Sequence, residues 1–319
     1  MFQYEAYNDP IQRPRYTGLP TFMRAPYRED LDGLEIGLVG VPFDGGVTNR
    51  TGARHGPREI RNQSSLMRRR NQASGIGPHD LCSVADVGDA WVQSPFELEK
   101  SLDEIRSFYA ELNQAGVVPV SAGGDHSVTL PILRAIASDQ PVGLVHFDAH
   151  CDTGDDYLGS KFHHGAPFRR AVEEGLVDPK RTIQIGIRGS LNDLDQWKFS
   201  HDAGMRVIYM EEFYEMGVKS VIDEIRRVAG DAPTYLTFDV DGLDPVYAAG
   251  TGTPEVGGFS TVEAQLMIRG CQGLNLIGGD VVEVAPPFDP SGNTALTGAT
   301  MMFEVLCVVA DAVARRRGD

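Results

Sequence analysis

Residues 142–153 read VGLVHFDAHCDT, an apolar run that ends in two aspartates and two histidines. The apolar part has the composition of a strand buried on both faces, which implies a parallel sheet covered by helices. Comparable runs recur on both sides: LEIGLVGVPF at 34–43, VVPVSAGG at 117–124, TIQIGIRG at 182–189, RVIYM at 206–210, TYLTFDVD at 234–241 and LNLIGGDVVEV at 274–284. Between two of them Leu98, Leu102, Ile105, Tyr109 and Leu112 recur at helical spacing, with Gly116 placed to end that helix. SVIDEIRRVAG at 220–230 reads as a second crossover helix, and the chain closes on MMFEVLCVVADAVARRR, whose arginines suit a helix C-terminus. Alternating strands and helices predict one α/β domain, a three-layer α/β/α sandwich around a mostly parallel sheet, spanning 1–319. Residues 1–33 are rich in Pro, Arg and Tyr without a period. They read as an N-terminal arm over the surface, of a kind that serves subunit contacts.

Polar residues gather at the C-terminal ends of these runs, where open α/β sheets hold their ligands. The first such end is GGDHS, with Asp125 and His126 in a turn; the second carries Asp148, His150 and Asp152 at alternate positions. Alternate residues on an extended segment project to one side, so the latter three are expected to face one point. FDVDGLDP offers Asp239 and Asp241 in the same way, and VVEVAPPFD carries Glu283. So many carboxylates in one place repel unless a cation neutralises them. Mixed imidazole and carboxylate ligands suit Mn²⁺, Fe²⁺, Ni²⁺ or Zn²⁺. Their number exceeds what one ion takes comfortably, so two ions are expected, roughly 3.5 Å apart if aspartates bridge them. His146 lies earlier, inside the apolar run, and reads as a satisfied core histidine. Cys151, out of phase with the ligands, is expected to point away from them.

Composition narrows the partners. Lys plus Arg number 29 against 45 Asp plus Glu, a formal charge of −16, which disfavours nucleic acid and anionic membranes and suits a cationic small molecule. The four cysteines show no paired spacing, and the N-terminus has neither a basic nor an apolar leader region. A soluble, cytoplasmic protein with reduced thiols is the expectation.

GGDHS, FDAHCDT and FDVDGLDP occur in an order and at separations that resemble the ureohydrolase family of arginases and agmatinases, from about Ile36 to the last helix. The resemblance implies an eight-stranded, mostly parallel α/β/α fold, two Mn²⁺ per subunit, with Ni²⁺ or another divalent ion as alternatives, and hydrolysis of a guanidino compound to urea and an amine. It implies that His126, Asp148, Asp152 and Asp239 hold one ion. Asp148, His150, Asp239 and Asp241 would hold the other, with Asp148 and Asp239 bridging. Asp152 would orient the attacking water, Glu283 would hold the guanidinium, and His164 of FHHGAPF, rather than His163, would carry the proton to the leaving amine. Homo-oligomers, trimers or hexamers, are also implied.

The loop after the second motif, GDDYLGSKFHHGAPFRR, lacks the arginase-like pattern, which disfavours L-arginine as substrate. The segment VPFDGGVTNRTGARHGPREIR and the N-terminal TFMRAP resemble the agmatinase, guanidinobutyrase and guanidinopropionase branch, and Tyr157, seven residues past His150, resembles its guanidinopropionase side. A guanidino acid, 3-guanidinopropionate or 4-guanidinobutyrate, is the leading expectation, its carboxylate met by Arg or backbone donors of the arm or the 43–58 loop. Agmatine, whose second cation Asp155 or Asp156 could favour, stands next. A formiminoglutamate hydrolase or deacetylase-like activity, and an inactive regulatory subunit, are the more distant alternatives.

Overall fold

The computed structural model describes residue 11, residues 13–137 and residues 140–318, so residues 1–10 and 12 of the expected arm lie outside the described residues. In chain order the elements are β1 (Ile36–Gly40), α1 (Gly56–Ser64), α2 (Pro78–Leu81), β2 (Val84–Asp89), α3 (Leu98–Gln114), β3 (Val118–Ala122), α4 (Thr129–Ile136) and β4 (Val142–Phe147). They continue with α5 (Pro167–Glu173), β5 (Val177–Ile187), α6 (Lys198–Ala203), β6 (Arg206–Tyr209), α7 (Met210–Ala229), β7 (Thr234–Asp239), α8 (Thr261–Gly270), β8 (Leu276–Val282) and α9 (Asn293–Arg317). The eight strands form one sheet in the order β2-β1-β3-β8-β7-β4-β5-β6. Every pair is parallel.

Helices cover both faces because each strand is apolar on both. Ile36 and Leu38 of β1 enter a core with Ile60 of α1, Phe213 of α7 and most of α9, while Val39 enters the opposite core with Leu102 and Ile105 of α3. Gly116, at φ 75°, closes α3 as its spacing predicted, and the Val117 N–H returns to the Leu112 carbonyl at 2.9 Å. The most apolar window of α9 has a mean hydropathy of 1.7, long enough to cross a membrane, yet 78% of it is buried inside the protein. Its apolarity is that of a core helix.

Three differences from the sequence reading have local causes. β2 was not expected as a strand, because Asp86, Gly88 and Asp89 break its apolar run; it is the edge strand beside β1, and Tyr27 bridges its other side at Asp86. The helix read at 220–230 begins at Met210, with Gly217 at φ 73° interrupting its period. Finally, the described part of 1–33 lies at the surface except at residues 21–26, which turn inward: Phe22 and Met23 are 0% and 3% exposed and belong to the main core. Asp86 accepts the Phe22 N–H at 2.9 Å and pairs with Arg61, whose guanidinium lies 4.1 Å from the Phe22 ring centroid.

Topology then positions the site. The four central neighbours, β3, β8, β7 and β4, are the strands that lead into GGDHS, Glu283, FDVDGLDP and FDAHCDT. In a parallel sheet their C-terminal ends share one edge. Removing the Phe22 ring should leave a cavity under α1. Phe22→Ala is therefore expected to cost about 3–5 kcal/mol, read as a fall in the urea midpoint at unchanged slope.

Candidate active site

At that edge the chain leaves regular structure, and the turns aim the side chains. β3 passes through Gly123 and Gly124 into Asp125, which caps a turn by accepting the Ser127 N–H at 2.9 Å. Gly124 is required there, since a Cβ would sit 1.6 Å from the Phe43 carbonyl oxygen. His126 follows, fully buried, with the Phe168 ring edge-on at 5.1 Å. β4 ends at Phe147, so Asp148, His150 and Asp152 are not placed by strand alternation as the sequence suggested. Instead the His150 N–H folds back onto Asp148 Oδ1 at 2.6 Å, and Asp152 adopts a left-handed φ of 50°. Asp239 ends β7, and its carboxylate accepts the Asp241 N–H at 2.8 Å in the turn beyond. Glu283, just past β8, also has a left-handed backbone, φ 65°. Two non-glycine residues in that region at one site are strain tolerated for function.

The predicted ligands come together as two groups. His126 Nδ1 lies 3.1 Å from Asp148 Oδ2, 3.0 Å from Asp152 Oδ2 and 3.3 Å from Asp239 Oδ2. His150 Nδ1 lies 3.3 Å from Asp148 Oδ1 and 3.2 Å from Asp241 Oδ2. Asp148 thus turns one oxygen to each group. Although three carboxylate oxygens surround it, His126 Nδ1 makes no hydrogen bond. A lone pair so aimed, with oxygens around it, is the donor set of a divalent ion.

Charge leads to the same conclusion. Burial, with Asp241 and Asp148 close by, pushes Asp239 well above the usual carboxylate range, and burial with Asp148 pushes Asp241 up to about 6. Burial alone would lower the His126 and His150 imidazoles, yet the surrounding carboxylates raise both well above the ordinary value. The protein's own charges balance only if protons occupy these ligands. Divalent cations at the same positions remove that need, so the residues fit a metal centre.

Glu283 and His164 form a second unit. Glu283 Oε1 accepts the His126 backbone N–H and meets His164 Nδ1, each at 2.9 Å, whereas Oε2 is buried without a partner. Thr48 faces the other ring nitrogen of His164, through its N–H at 3.2 Å and its hydroxyl at 2.7 Å. Burial would lower the His164 pKa, but Glu283 outweighs it and holds the imidazole up at about 9. His163 does not share this role: its Nε2 faces the Asp155 carbonyl at 3.0 Å. Cys151 packs with Ile187, Trp197 and Val207, away from the ligands, and burial raises its thiol far above the ordinary range.

A cleft of about 290 Å³ opens on the two groups, with Asp152, His150, His164 and Thr48 in its wall and Tyr157 at its half-exposed mouth. Tyr157 and Ser160 bond backbone to backbone across Leu158 and Gly159, both at positive φ, as in a tight hairpin turn. None of the three arginines of the 43–58 segment, Arg50, Arg54 and Arg58, lines this cleft. Arg50 donates to the Thr251 and Gly252 carbonyls, and Arg54 pairs with Asp44.

Sequence reasoning named Asp125 without its role and missed Arg188. Asp125 Oδ2 accepts the Gly46 N–H at 2.7 Å, and Gly46 in turn accepts the His164 N–H at 2.9 Å, so Asp125 pins the loop that seats His164. Buried Arg188 donates to the carbonyls of Gly186, Asp241, Gly242, Leu243 and Glu255 and braces the Asp241 turn. Only the GGD context marked the first; nothing local marked the second.

The Arginase family model matches residues 34–308, and the chain belongs to that family of hydrolases. Among its relatives, the chain is 57% identical over 308 residues to guanidinopropionase of Pseudomonas aeruginosa, covering 96% of each. It is 49% identical over 300 residues to mitochondrial agmatinase of Gallus gallus, covering 94% of this chain and 87% of that one. The solved structure of proclavaminate amidinohydrolase from Streptomyces clavuligerus matches with a TM-score of 0.90 at 38% identity, over 94% of this chain and 100% of the other.

A cation that binds only the folded chain must stabilise it, by about 2.7 kcal/mol at a hundredfold excess over Kd. Titrating Mn²⁺ into chelator-treated protein should therefore raise Tm by several degrees. Because protons compete for the same ligand atoms, the rise should shrink from pH 8 to pH 6; a Tm indifferent to Mn²⁺ at both pH values would contradict the metal reading.

Proposed function

We propose that the protein hydrolyses a linear guanidino acid, 3-guanidinopropionate or 4-guanidinobutyrate, to urea and an amine at a pair of Mn²⁺ ions. One observation carries the reading: a buried carboxylate oxygen without a partner, Glu283 Oε2, stands beside a cluster built for cations. A guanidinium offers the N–H donors that this oxygen lacks and the charge that complements it. Likeness to a guanidinopropionase at 57% identity supports the same substrate class.

In this assignment His126, Asp148, Asp152 and Asp239 would hold one ion, and Asp148, His150, Asp239 and Asp241 the other. When bound, the ions supply the Lewis acidity that makes water a nucleophile at neutral pH. Glu283 Oε2 orients the guanidinium, with Oε1 locked by the His126 N–H and His164. Asp152 accepts a hydrogen bond from the attacking water and points it at the guanidinium carbon. His164, whose pKa Glu283 raises to about 9, carries the proton to the leaving amine.

The far end of the cleft favours an acid over agmatine. Asp155, the carboxylate considered for a second ammonium, is paired with Arg169 and Arg170, each at 2.9 Å. Asp156 keeps agmatine as the second reading, since it lines the cleft with one oxygen on the Gly159 N–H at 2.9 Å. Tyr157, at the mouth, closes on the substrate's distal group. Self-assembly as trimers or hexamers belongs to the same proposal, supported by exposed Leu158, Leu194 and Val256, and light scattering reads it.

A urea-release panel with 3-guanidinopropionate, 4-guanidinobutyrate, agmatine and arginine, with Mn²⁺ or Ni²⁺, should show the two acids ahead of agmatine and arginine inactive. Urea from none of them would end the reading; agmatine first would reverse the substrate order. Glu283→Gln should lower kcat/KM by at least about a hundredfold, since it removes a buried charge partner, while Mn²⁺ content is kept.

A further inference from the structure

Beneath the ligands, one row of the sheet is polar across five neighbouring strands, between Val39 of β1 on one side and Val207 of β6 on the other. Ser121 of β3 pairs with Asp280 of β8, Asp280 with Thr237 of β7, Thr237 with His146 of β4, and His146 with Gln184 of β5. Residues in register on parallel strands point to the same face, and all five are 0% exposed. Such positions ordinarily hold Val, Ile or Leu.

The hydrogens along this row can be followed. The Tyr109 hydroxyl meets Ser121 Oγ at 2.7 Å. Tyr235 and Thr129 donate to Asp280 Oδ2 at 3.0 and 2.8 Å, leaving Asp280 Oδ1 buried without a partner. Thr237 Oγ1 lies 2.8 Å from His126 Nε2. Gln184 Nε2 donates to His146 Nδ1 at 3.1 Å and to the Cys151 carbonyl at 2.6 Å. His146 therefore carries its proton on Nε2, which donates to Asp148 Oδ2 at 2.7 Å.

His126 requires the same order. Its Nδ1 faces the Asp148, Asp152 and Asp239 oxygens, so for Nδ1 to be a ligand its proton must sit on Nε2, donated to Thr237 Oγ1. The Thr237 hydroxyl hydrogen then needs an acceptor. Its neighbour in register, Asp280, has one oxygen without a donor.

We propose that this row is a positioning device: Asp280, through Thr237, holds His126 with Nδ1 free for a metal, while Gln184, through His146, holds Asp148 with one oxygen toward each ligand group. None of the five is itself a ligand in the assignment above. The inference rests on the metal-centre reading, and its test separates the two. Outer partners of metal-bound histidines act in this way by fixing ring orientation and the protonated nitrogen.

The direct readout needs no metal. In chelator-treated protein labelled with ¹⁵N-histidine, the Nε2–H of His126 should appear as a hydrogen-bonded, slowly exchanging signal. Thr237→Val should shift that signal upfield and speed its exchange, and Thr237→Ser should restore it. With Mn²⁺ present, chelator competition should show affinity about 10–100-fold weaker in Thr237→Val and about tenfold weaker in Asp280→Asn, with Thr237→Ser close to the starting protein. Asp280→Asn, nearly equal in shape, serves where Thr237→Val does not fold. The proposal is overturned if the metal-free protein carries no His126 Nε2–H, or if both variants keep the signal and the affinity. Should the unaltered protein bind no Mn²⁺, the metal reading fails, and the proton signal still decides the position of Thr237.

Discussion

Four buried aspartates that no Lys or Arg among the described residues pairs with set the terms for this molecule. Asp148, Asp152, Asp239 and Asp241 are all 6% exposed or less and converge on two imidazoles. Two like charges about 4 Å apart repel by about 4 kcal/mol even at an effective dielectric of 20. The nearest buried arginine, Arg188, is committed to backbone carbonyls, and burial lowers its own pKa, so it braces the site without neutralising it. Stability and cation binding are therefore one problem in this chain. The histidines that rise to hold protons are the groups that release them when a metal arrives.

The fold answers that constraint by geometry. Strands remote in sequence become neighbours at the centre of the sheet, and because all are parallel their ends deliver ligands to one edge. Regular structure stops just short of the ligands. Turns, each held by an aspartate accepting a nearby backbone N–H, do the aiming, at the cost of left-handed backbone at Asp152 and Glu283. Strain of about 1–3 kcal/mol at each such residue persists only where the surroundings over-determine the conformation. Glu283 meets that condition through its bonds to His126 and His164.

How much could be read in advance depended on how local the cause was. Apolar runs located seven strands, and the eighth, β2, was hidden because an edge strand with Asp86 and Asp89 lacks the continuous pattern. The ligand residues were legible as acidic strand ends, yet the reason offered, alternation along an extended segment, does not hold beyond Phe147. Turn chemistry brings them together instead. Thr237, Asp280, Gln184 and Arg188 were not legible, since each acts through a partner 38 to 111 residues away or through a register between strands. His146 was read as a satisfied core histidine, and both of its nitrogens are bonded, but the partner that gives it a purpose, Asp148, is visible only in the fold.

The same distinction governs substrate choice. In the sequence, Asp155 and Asp156 look like a patch that welcomes a second cation. In the fold, α5 brings Arg169 and Arg170 onto Asp155, and half of that patch is already neutralised. Among the described residues neither Lys nor Arg lines the cleft, so in the proposed reading a substrate carboxylate would meet the neutral donors of Tyr157, Asn192 and Gln196. In the proposed reading Glu283 and the ligand cluster fix the head, so discrimination between guanidino acids would fall to length, with the distal group near Tyr157 or beyond it. A single methylene is worth only about 1–3 kcal/mol in such a site, and closely related acids should compete rather than exclude one another.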